Sequence, residues 1–281
     1  MIELAQDSYG KSDIRLMKVR RGPERHEIVE MTVDIRLTGD LAAGYTDGDN
    51  TRVLPTDTMK NTVYALAKKH PVKSPEQFAS LLAEHFVSSQ PQIAEARVDI
   101  SQRLWEHASV GASPHPHAFT GVSCERHTAS VVHSDDNTSI RSGIRDLVLL
   151  KSKDSGFSDF LEDEYTTLKP TDDRVLATRL SANWLHSGDD VDYAAHHRGV
   201  RSTLIDVFAN HESLSVQHTM YAMGEKALEE FTGVSEIYLA MPNVHNLVVD
   251  LAPFGMDNPH EILKPIDEPS GHIDATLRRE R

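Results

Sequence analysis

The sequence contains a single cysteine, Cys124, among its 281 residues. A disulfide within the chain is therefore impossible, and a reducing compartment is indicated. Cys124 stands in a strand-like run, so a buried structural thiol is predicted there in preference to a nucleophile. The chain has neither the basic and apolar start of a signal peptide nor a C-terminal Ser-Lys-Leu, so the expected localisation is cytoplasmic.

Long apolar runs and an excess of positive charge are also missing. No apolar stretch reaches the length that a membrane-spanning helix needs, so no membrane partner is expected. The formal net charge is -14, which argues against a nucleic-acid partner because proteins that bind phosphate backbones are usually basic. A small anionic ligand is still compatible with this charge, since it needs only a local positive pocket.

Histidine is plentiful, with 16 copies. The densest cluster is His115-Pro116-His117 with His107 nearby, and His196-His197 forms a second pair. Neither cluster has the spacing His-Glu-x-x-His, and cysteine ligands are lacking. No metal site is predicted, although a histidine-rich metal hydrolase stays open as an alternative.

The first half of the chain shows the order strand, strand, helix, helix, strand, strand. Strict alternation over Met31–Leu37 predicts a strand with one buried face, and Ile14–Val19 is its expected partner. A helix is predicted from Asp57 to about His70. A second helix begins at Ser74-Pro75-Glu76-Gln77, where serine is the cap and proline opens the first turn.

The second half repeats this order, which predicts an α+β fold with antiparallel sheets and helices on one side. The expected domains are residues 1–136 and 137–281. Apolar stripes mark the predicted helices. The further predicted strands of the two halves are Ala96–Ile100, about Gly121–Val132, Asp146–Leu150, Val175–Trp184, Ile237–Ala240, Leu247–Leu251 and Ile273–Leu277. Exposed sheet edges have to be paired or covered, so a homo-oligomer is a reasonable expectation.

Asn243 and His245 stand two residues apart at the predicted start of the strand Leu247–Leu251. In an extended chain such residues point the same way, so both side chains could face one pocket. The amide offers a hydrogen-bond donor and acceptor, and the imidazole offers a proton shuttle. A turn residue beside a surface histidine is the ordinary alternative.

Other motifs carry the same ambiguity when each is taken alone. Lys11, which the pattern places just before the first strand, is usually a solvated charge. Thr56 and Asp57 would normally be helix caps, although a helix start also favours a bound anion. Phe157 follows Ser155-Gly156 and could be a stacking platform or a core residue, and Gln217 lies near the first turn of a helix.

Taken together and in this order, the motifs resemble the urate oxidase (uricase) family over essentially the whole chain. The marks are Tyr9-Gly10-Lys11, Thr56-Asp57 with Lys60-Asn61-Thr62, Val148-Leu149-Leu150-Lys151-Ser152, Asp163-Glu164-Tyr165-Thr166-Thr167-Leu168, Gln217 before Thr219-Met220-Tyr221, and Pro242-Asn243-x-His245. Several motifs in the right order are far more specific than any single one.

The resemblance implies two tandem tunnelling-fold (T-fold) domains per chain and a homotetrameric barrel with active sites between subunits. It implies oxidation of urate by O2 and water to 5-hydroxyisourate and hydrogen peroxide, a step of purine catabolism, with no metal and no organic cofactor. By the same analogy, Lys11 and Thr56 come from one chain, and the residues from Phe157 to His245 come from its neighbour.

The resemblance also assigns roles to single residues. Lys11 and Thr56 match the family's proton-transfer dyad, and His245 extends that relay. Asn243 would hold O2 and later the attacking water. The remaining matches bind the substrate: Arg174 and Gln217 clamp opposite ring edges, Phe157 stacks on the ring, and Asp57, Val216, Leu168 and Thr56 complete the pocket.

One departure and one alternative belong beside this assignment. Asp159 stands where many relatives carry glycine before the second phenylalanine of the motif, which would alter the local loop. The alternative function is a purine- or pterin-binding tunnelling-fold protein without turnover. Lys11, Thr56 and His245 disfavour it, because a mere binder needs only the Arg174 and Gln217 clamp.

Overall fold

The computed structural model describes residues 2–188 and 191–280. The chain divides into two compact units, Met1–Gly143 and Ile144–Arg281. Both contain antiparallel strands and helices, so the predicted α+β class is confirmed. None of the helices within the described ranges is long and apolar enough to cross a membrane.

The first unit is an antiparallel sheet with strand order β1-β2-β3-β4. Its elements are β1 (Tyr9–Arg21), β2 (His26–Gly39), α1 (Ala42–Thr46), α2 (Thr56–Lys69), α3 (Pro75–Ser89), β3 (Ile93–Val110) and β4 (Ser113–Ser134), with β5 (Asn137–Lys151) crossing into the second unit. Alternate residues of β2, from Met31 to Leu37, are buried in a core that α2 and α3 cover. The order predicted for this half is confirmed for the strands and for α2 and α3, while the short helix α1 was not predicted.

The strand β1 begins five residues earlier than the apolar pattern predicted, so Lys11 lies within the strand rather than before it. The cause is a β-bulge. Lys11 pairs with Ile35 and Ile14 pairs with Val33, so Ser12 and Asp13 together oppose one residue of β2. An extra residue interrupts the period of two, and the sequence pattern therefore becomes regular only from Ile14 onward.

The two main helices start in different ways. Ser74 caps α3 as predicted, because its Oγ accepts the N–H of Gln77 and proline follows at the first helical position. The cap position of α2 is instead Pro55, and no side chain caps this helix. The ordinary reading of Thr56 and Asp57 as caps is therefore wrong, because both residues lie inside the first turn.

A buried polar cluster joins α3 to the sheet of the first unit. Glu76 is fully buried, and its Oε1 lies 2.7 Å from Nε2 of His127 and accepts the hydroxyl of Ser142 at 2.6 Å. Burial alone would raise the pKa of Glu76. Its hydrogen bonds to His127 and Ser142, together with the charge of His127, outweigh burial and lower this pKa to about 2.

The second unit repeats the plan with additions. Its elements are β6 (Leu176–His186), α4 (Tyr193–Asn210), α5 (Val216–Glu230), β7 (Val234–Ala240), β8 (Asn243–Val248), a short 3-10 helix (Ala252–Phe254), β9 (Leu263–Gly271) and β10 (Asp274–Arg278). β7 pairs with β6 and β10, while β8 pairs with β6 and β9. A second core, with Trp184 fully buried at its centre, lies between these strands and α4 and α5.

The structure differs from the sequence-based expectations at β8, at β9 and at Cys124. The strand predicted over Leu247–Leu251 is β8, which begins at Asn243 and ends at Val248, and β9 was not predicted at all. Cys124 is exposed rather than buried. The reason is its position in β4, where Glu125, His127, Ala129 and Val131 take the buried face and leave Cys124 on the other.

Candidate active site

The candidate residues of the first unit meet where β1 begins and α2 starts. The backbone N–H of Leu54 donates to the hydroxyl of Tyr9 at 2.9 Å. This bond fixes the loop before Thr56 against the start of β1, two residues from Lys11. The backbones are also close here, because a Cβ added to Gly10 would overlap the carbonyl oxygen of Ile35.

The pKa of Asp57 reflects the positive charges near the start of α2. Its carboxylate is bonded to Lys60, and the side-chain amide of Asn61 donates to its Oδ2 at 2.9 Å. The hydrogen bond and charge of Lys60 lower the pKa of Asp57, with a smaller contribution from the charge of Lys11. Lys11 therefore lies close enough to the start of α2 for its charge to act on Asp57.

Thr56 opens α2 without a side-chain cap. The first N–H groups of a helix have no partner within the helix, and they carry a partial positive charge. The Thr56 hydroxyl and backbone N–H groups that no side chain caps among the described residues therefore lie together near a lysine. This set of groups suits the binding of an anion and the relay of a proton.

In the second unit, Arg174 lies over the ring of Phe157, with 5.5 Å from its Cζ to the ring centroid. Phe157 stacks in turn on Phe160, at 5.0 Å between centroids and 14° between planes. Burial lowers the pKa of Arg174, and its buried Nε has no hydrogen-bond partner within residues 2–188 and 191–280. A planar cation beside an aromatic face, with a donor to spare, suits a flat anionic ring.

Asp159, the departure noted in this loop, has a φ of 54°. Glycine adopts this left-handed conformation freely, whereas other residues do so at some cost. Asp is among the residues that tolerate it best. The loop between Phe157 and Phe160 therefore keeps a turn that suits glycine, and the stacked pair is retained.

A central segment, Asp154–Phe157, holds the neighbouring loops together. Phe157 exchanges two backbone hydrogen bonds with Thr171, at 2.8 and 3.0 Å. On the other side, Gly156 donates to the carbonyl of Ser213 at 2.8 Å and Ser213 donates to that of Asp154 at 2.9 Å. The segment therefore sits between the loop that leads to Arg174 and the loop that leads to Gln217.

Gln217 and Val216 open α5. The helix is capped by Ser215, whose Oγ accepts the N–H of His218 at 3.1 Å. Val216 is buried and Gln217 is exposed. The preceding loop is also anchored from β5, because the ammonium of Lys151 donates to the carbonyl of His211. These contacts fix the start of α5 and therefore the position of Gln217.

Asn243 lies between two strands, opposite Thr178 of β6 and Gly271 of β9. Gly271 has no side chain, so the space beside the amide stays open. Asn243 and His245 are both half-buried and both belong to β8. The pairing with β9 is irregular between them, because Asn243 opposes Gly271 whereas His245 opposes Ile266. Their shared orientation, inferred above from an extended chain, stays a prediction.

A cavity of about 350 Å³ adjoins the central segment. It is not the anion site, because carboxylates contribute much of its wall; they belong to Asp154, Asp172, Asp173 and Glu212. An anionic ring would be repelled there. The groups that attract an anion are Arg174 in this unit and the Lys11 corner in the first.

The predicted residues therefore form local groups. Lys11, Thr56 and Asp57 meet in the first unit, and Phe157, Arg174, Val216 and Gln217 are linked through the central segment in the second. Leu168 is 58% exposed in the loop before Thr171, and its binding role stays a prediction. Within the described ranges, no group of three or more His, Cys, Asp or Glu side chains is arranged to hold a metal ion.

Residues that the sequence did not single out support these groups. They are the hydroxyl of Tyr9, the backbone of Ser155 and Gly156, and Asp34, whose carboxylate accepts the N–H of Asp13 at 2.7 Å. Tyr9 was part of a quoted motif but had no role. Backbone contacts between distant segments leave no side-chain signal in the sequence.

Comparison with known proteins agrees with the motifs. The family model for uricases matches residues 7–132 and 140–274. The uricase of Arthrobacter globiformis is 41% identical over 279 residues, which cover 99% of this chain and 91% of that protein. The uricase of Schizosaccharomyces pombe is 36% identical over 287 residues, which cover 98% and 97%.

Solved structures give the same answer. The crystal structure of the uricase from Arthrobacter globiformis matches with a TM-score of 0.95 at 41% identity, and the match covers 100% of this chain and 96% of that one. A uricase from Bacillus fastidious, at 24% identity, shares the fold with a TM-score of 0.85. These neighbours have the T-fold, so the predicted fold is confirmed. The chain belongs to the uricase family.

Proposed function

We propose that the protein oxidises urate with O2 and water to 5-hydroxyisourate and hydrogen peroxide, without a metal or organic cofactor, in a site shared between chains. Membership of the uricase family supports the urate oxidase activity itself. This activity is an oxidoreductase reaction that degrades a purine. The observation that best supports the proposed site is Arg174, half-buried over the Phe157 ring with an unused donor.

Substrate binding is assigned to the second unit. Urate is a flat anion, and the guanidinium of Arg174 would bind a carbonyl and a ring nitrogen in two-pronged fashion. Gln217 would pair with the opposite ring edge through its amide donor and acceptor. Phe157 would stack on the ring, and Leu168 and Val216 would close the apolar border. The central segment holds these groups at a fixed spacing.

Proton removal is assigned to Lys11 and Thr56. Reaction of O2 with an organic molecule is spin-restricted, so the electrons must come from urate in an electron-rich, deprotonated form. The Thr56 hydroxyl would relay the proton to Lys11, with the start of α2 and the backbone of Asp57 stabilising the anion. His245 would extend the relay, and Asn243 would hold O2 and then water.

Assembly follows from the strand edges. Within the described ranges, β1 pairs with no strand but β2, and β10 pairs only with β7. Such edges invite pairing with another chain. The proposal therefore includes two T-fold domains, residues 1–136 and 137–281, and a homotetramer in which Lys11 and Thr56 face the second-unit residues of a neighbour. Light scattering on the purified protein measures the oligomeric state directly.

The test of this function is aerobic incubation with urate after exhaustive treatment with a chelator. We expect loss of urate absorbance, peroxide in equal amount, and no loss of rate on chelation. Binding of urate without peroxide would favour the non-catalytic purine- or pterin-binding alternative. Stoichiometric zinc or iron, with activity lost on its removal, would favour metal-dependent chemistry.

A further inference from the structure

The direction of Lys11 does not follow from simple strand alternation. In β1, Ile14 and Leu16 are buried and Lys18 bonds to α2, so the even-numbered residues face the helix. A regular strand would turn odd-numbered Lys11 to the opposite face. The charge of Lys11 nevertheless contributes to the lowered pKa of Asp57 at the start of α2.

The bulge resolves this conflict. Ser12 and Asp13 together oppose Asp34, so Lys11 comes to oppose Ile35, which is 1% exposed in the helix-covered core. Directly opposed residues of an antiparallel pair point to the same side. One extra residue thus moves Lys11 from the open face of the sheet to the face that carries Thr56 and Asp57.

Asp34 holds the bulge in place. Its Oδ1 accepts the N–H of Asp13 at 2.7 Å, and Asp13 has a φ of 57°, a conformation that costs a non-glycine residue free energy. The neighbouring carboxylate of Asp99, which opposes Asp34 on β3, is already bonded to Arg97. In a register without the bulge, Lys11 would oppose Arg36, which is exposed.

We propose that Asp34 is a positioning residue for proton transfer: by holding the Ser12–Asp13 bulge, it turns Lys11 into the site. The inference rests on the proposed function, since it assumes that Lys11 takes the proton from the urate relay. Asp34 itself does not touch substrate. Its effect should therefore appear in kcat rather than in KM, and only while Lys11 is present.

Steady-state kinetics with urate test this. We expect Asp34→Ala to lower kcat by about 10- to 100-fold with KM changed by less than about threefold, as for a misplaced catalytic group. Asp34→Asn keeps the acceptor oxygen and should retain most of kcat. In a Lys11→Ala background, Asp34→Ala should lower kcat no further, because both changes remove the same contribution.

Asp13 supplies a second pair of variants, because its side chain is exposed and its replacement removes nothing from the buried core. Asp13→Val, which disfavours positive φ, should lower kcat as Asp34→Ala does, and Asp13→Gly should retain it. If the wild type oxidises urate while Asp34→Ala and Asp13→Val keep its kcat, or if Asp34→Ala lowers kcat equally with and without Lys11, this inference is overturned alone. A folded wild type without turnover would instead overturn the proposed function.

Discussion

The hydroxyl oxygen of Tyr9 accepts a hydrogen bond from the backbone N–H of Leu54, with 2.9 Å between the two atoms. Burial raises the pKa of Tyr9 and the bond from Leu54 offsets part of that effect, so the hydroxyl stays neutral. The contact joins the strand that carries Lys11 to the turn that carries Thr56. Through this single contact, the phenol of Tyr9 helps to position Lys11 and Thr56 relative to each other.

Tyr9→Phe should therefore weaken both stability and turnover. The N–H of Leu54 would lose its acceptor, which lowers the free energy of unfolding by about 1 kcal/mol. We expect kcat to fall about two- to tenfold with little change in KM, because Thr56 is less firmly placed. Tyr45→Phe is the matched control, since the side chain of Tyr45 is exposed and its hydroxyl donates to the backbone carbonyl of Ser8. Equal kinetic effects of the two changes would contradict the role given to Tyr9.

Arg174→Lys should raise KM by about 10- to 100-fold, because a lysine cannot supply a planar pair of donors over Phe157. The loss should appear mainly in KM, since the clamp acts in the ground state and the transition state alike. Arg179→Lys, on an exposed position of β6, is the control. A KM that stays at the wild-type value would remove Arg174 from the binding site.

Gly156→Ala tests the central segment. The added Cβ would lie 3.0 Å from the carbonyl oxygen of Asp172 and 3.2 Å from that of Thr171, so the two backbones would have to separate. We expect the free energy of unfolding to fall by about 1–3 kcal/mol, the usual cost of overpacking, and KM for urate to rise.

The control for that change is Gly48→Asn, where the added Cβ has no atom within 4 Å among the described residues beyond its chain neighbours and asparagine tolerates the positive φ. It should alter the free energy of unfolding by less than about 0.5 kcal/mol and leave KM as it is. A Gly156→Ala protein with wild-type KM would show that the spacing between the two substrate-binding loops does not depend on close backbone contact.

Glu76 predicts how the fold responds to acid. Its pKa is about 2 in the folded chain against 4.5 for the free group, so its contribution to stability is present above pH 4.5 and is lost as the pH falls toward 2. The contribution is about 3 kcal/mol at most by the linkage relation. In Glu76→Gln, the free energy of unfolding should fall less steeply as the pH is lowered from 4.5 toward 2 than it does in the wild type. Chemical denaturation at fixed protein concentration measures this difference. Glu84→Gln, exposed on the same helix, should behave as wild type.

The sequence predicted best where its pattern matched the period of the element. Ser74 and Pro75 fixed the start of α3, and the alternation of Met31–Leu37 fixed a strand and its buried face. It failed where the backbone departs from that period. The bulge at Ser12 and Asp13 interrupts the alternation at the beginning of β1, and the strand predicted over Leu247–Leu251 begins at Asn243 and ends at Val248.

The site divides in the same way. Arg174 and Phe157 were predicted from the family resemblance, and the structure places the Arg174 guanidinium over the Phe157 ring. The supports beneath them are backbone hydrogen bonds between separate segments of the chain, Phe157 with Thr171 and Gly156 with Ser213, which no local pattern encodes. Cys124 and Glu125 show a related limit, because a polar residue took the face that the hydrophobic rule assigns to the thiol.

The ammonium of Lys18 donates to the carbonyls of Ala67 and His70, each at 2.7 Å, at the end of α2 opposite Thr56. The same strand reaches the other end of this helix through Tyr9, whose hydroxyl accepts the N–H of Leu54 in the turn before α2. Adding or removing residues between Tyr9 and Lys18 would break one of these two contacts, whereas the turn around Gly48 can change in length without breaking either.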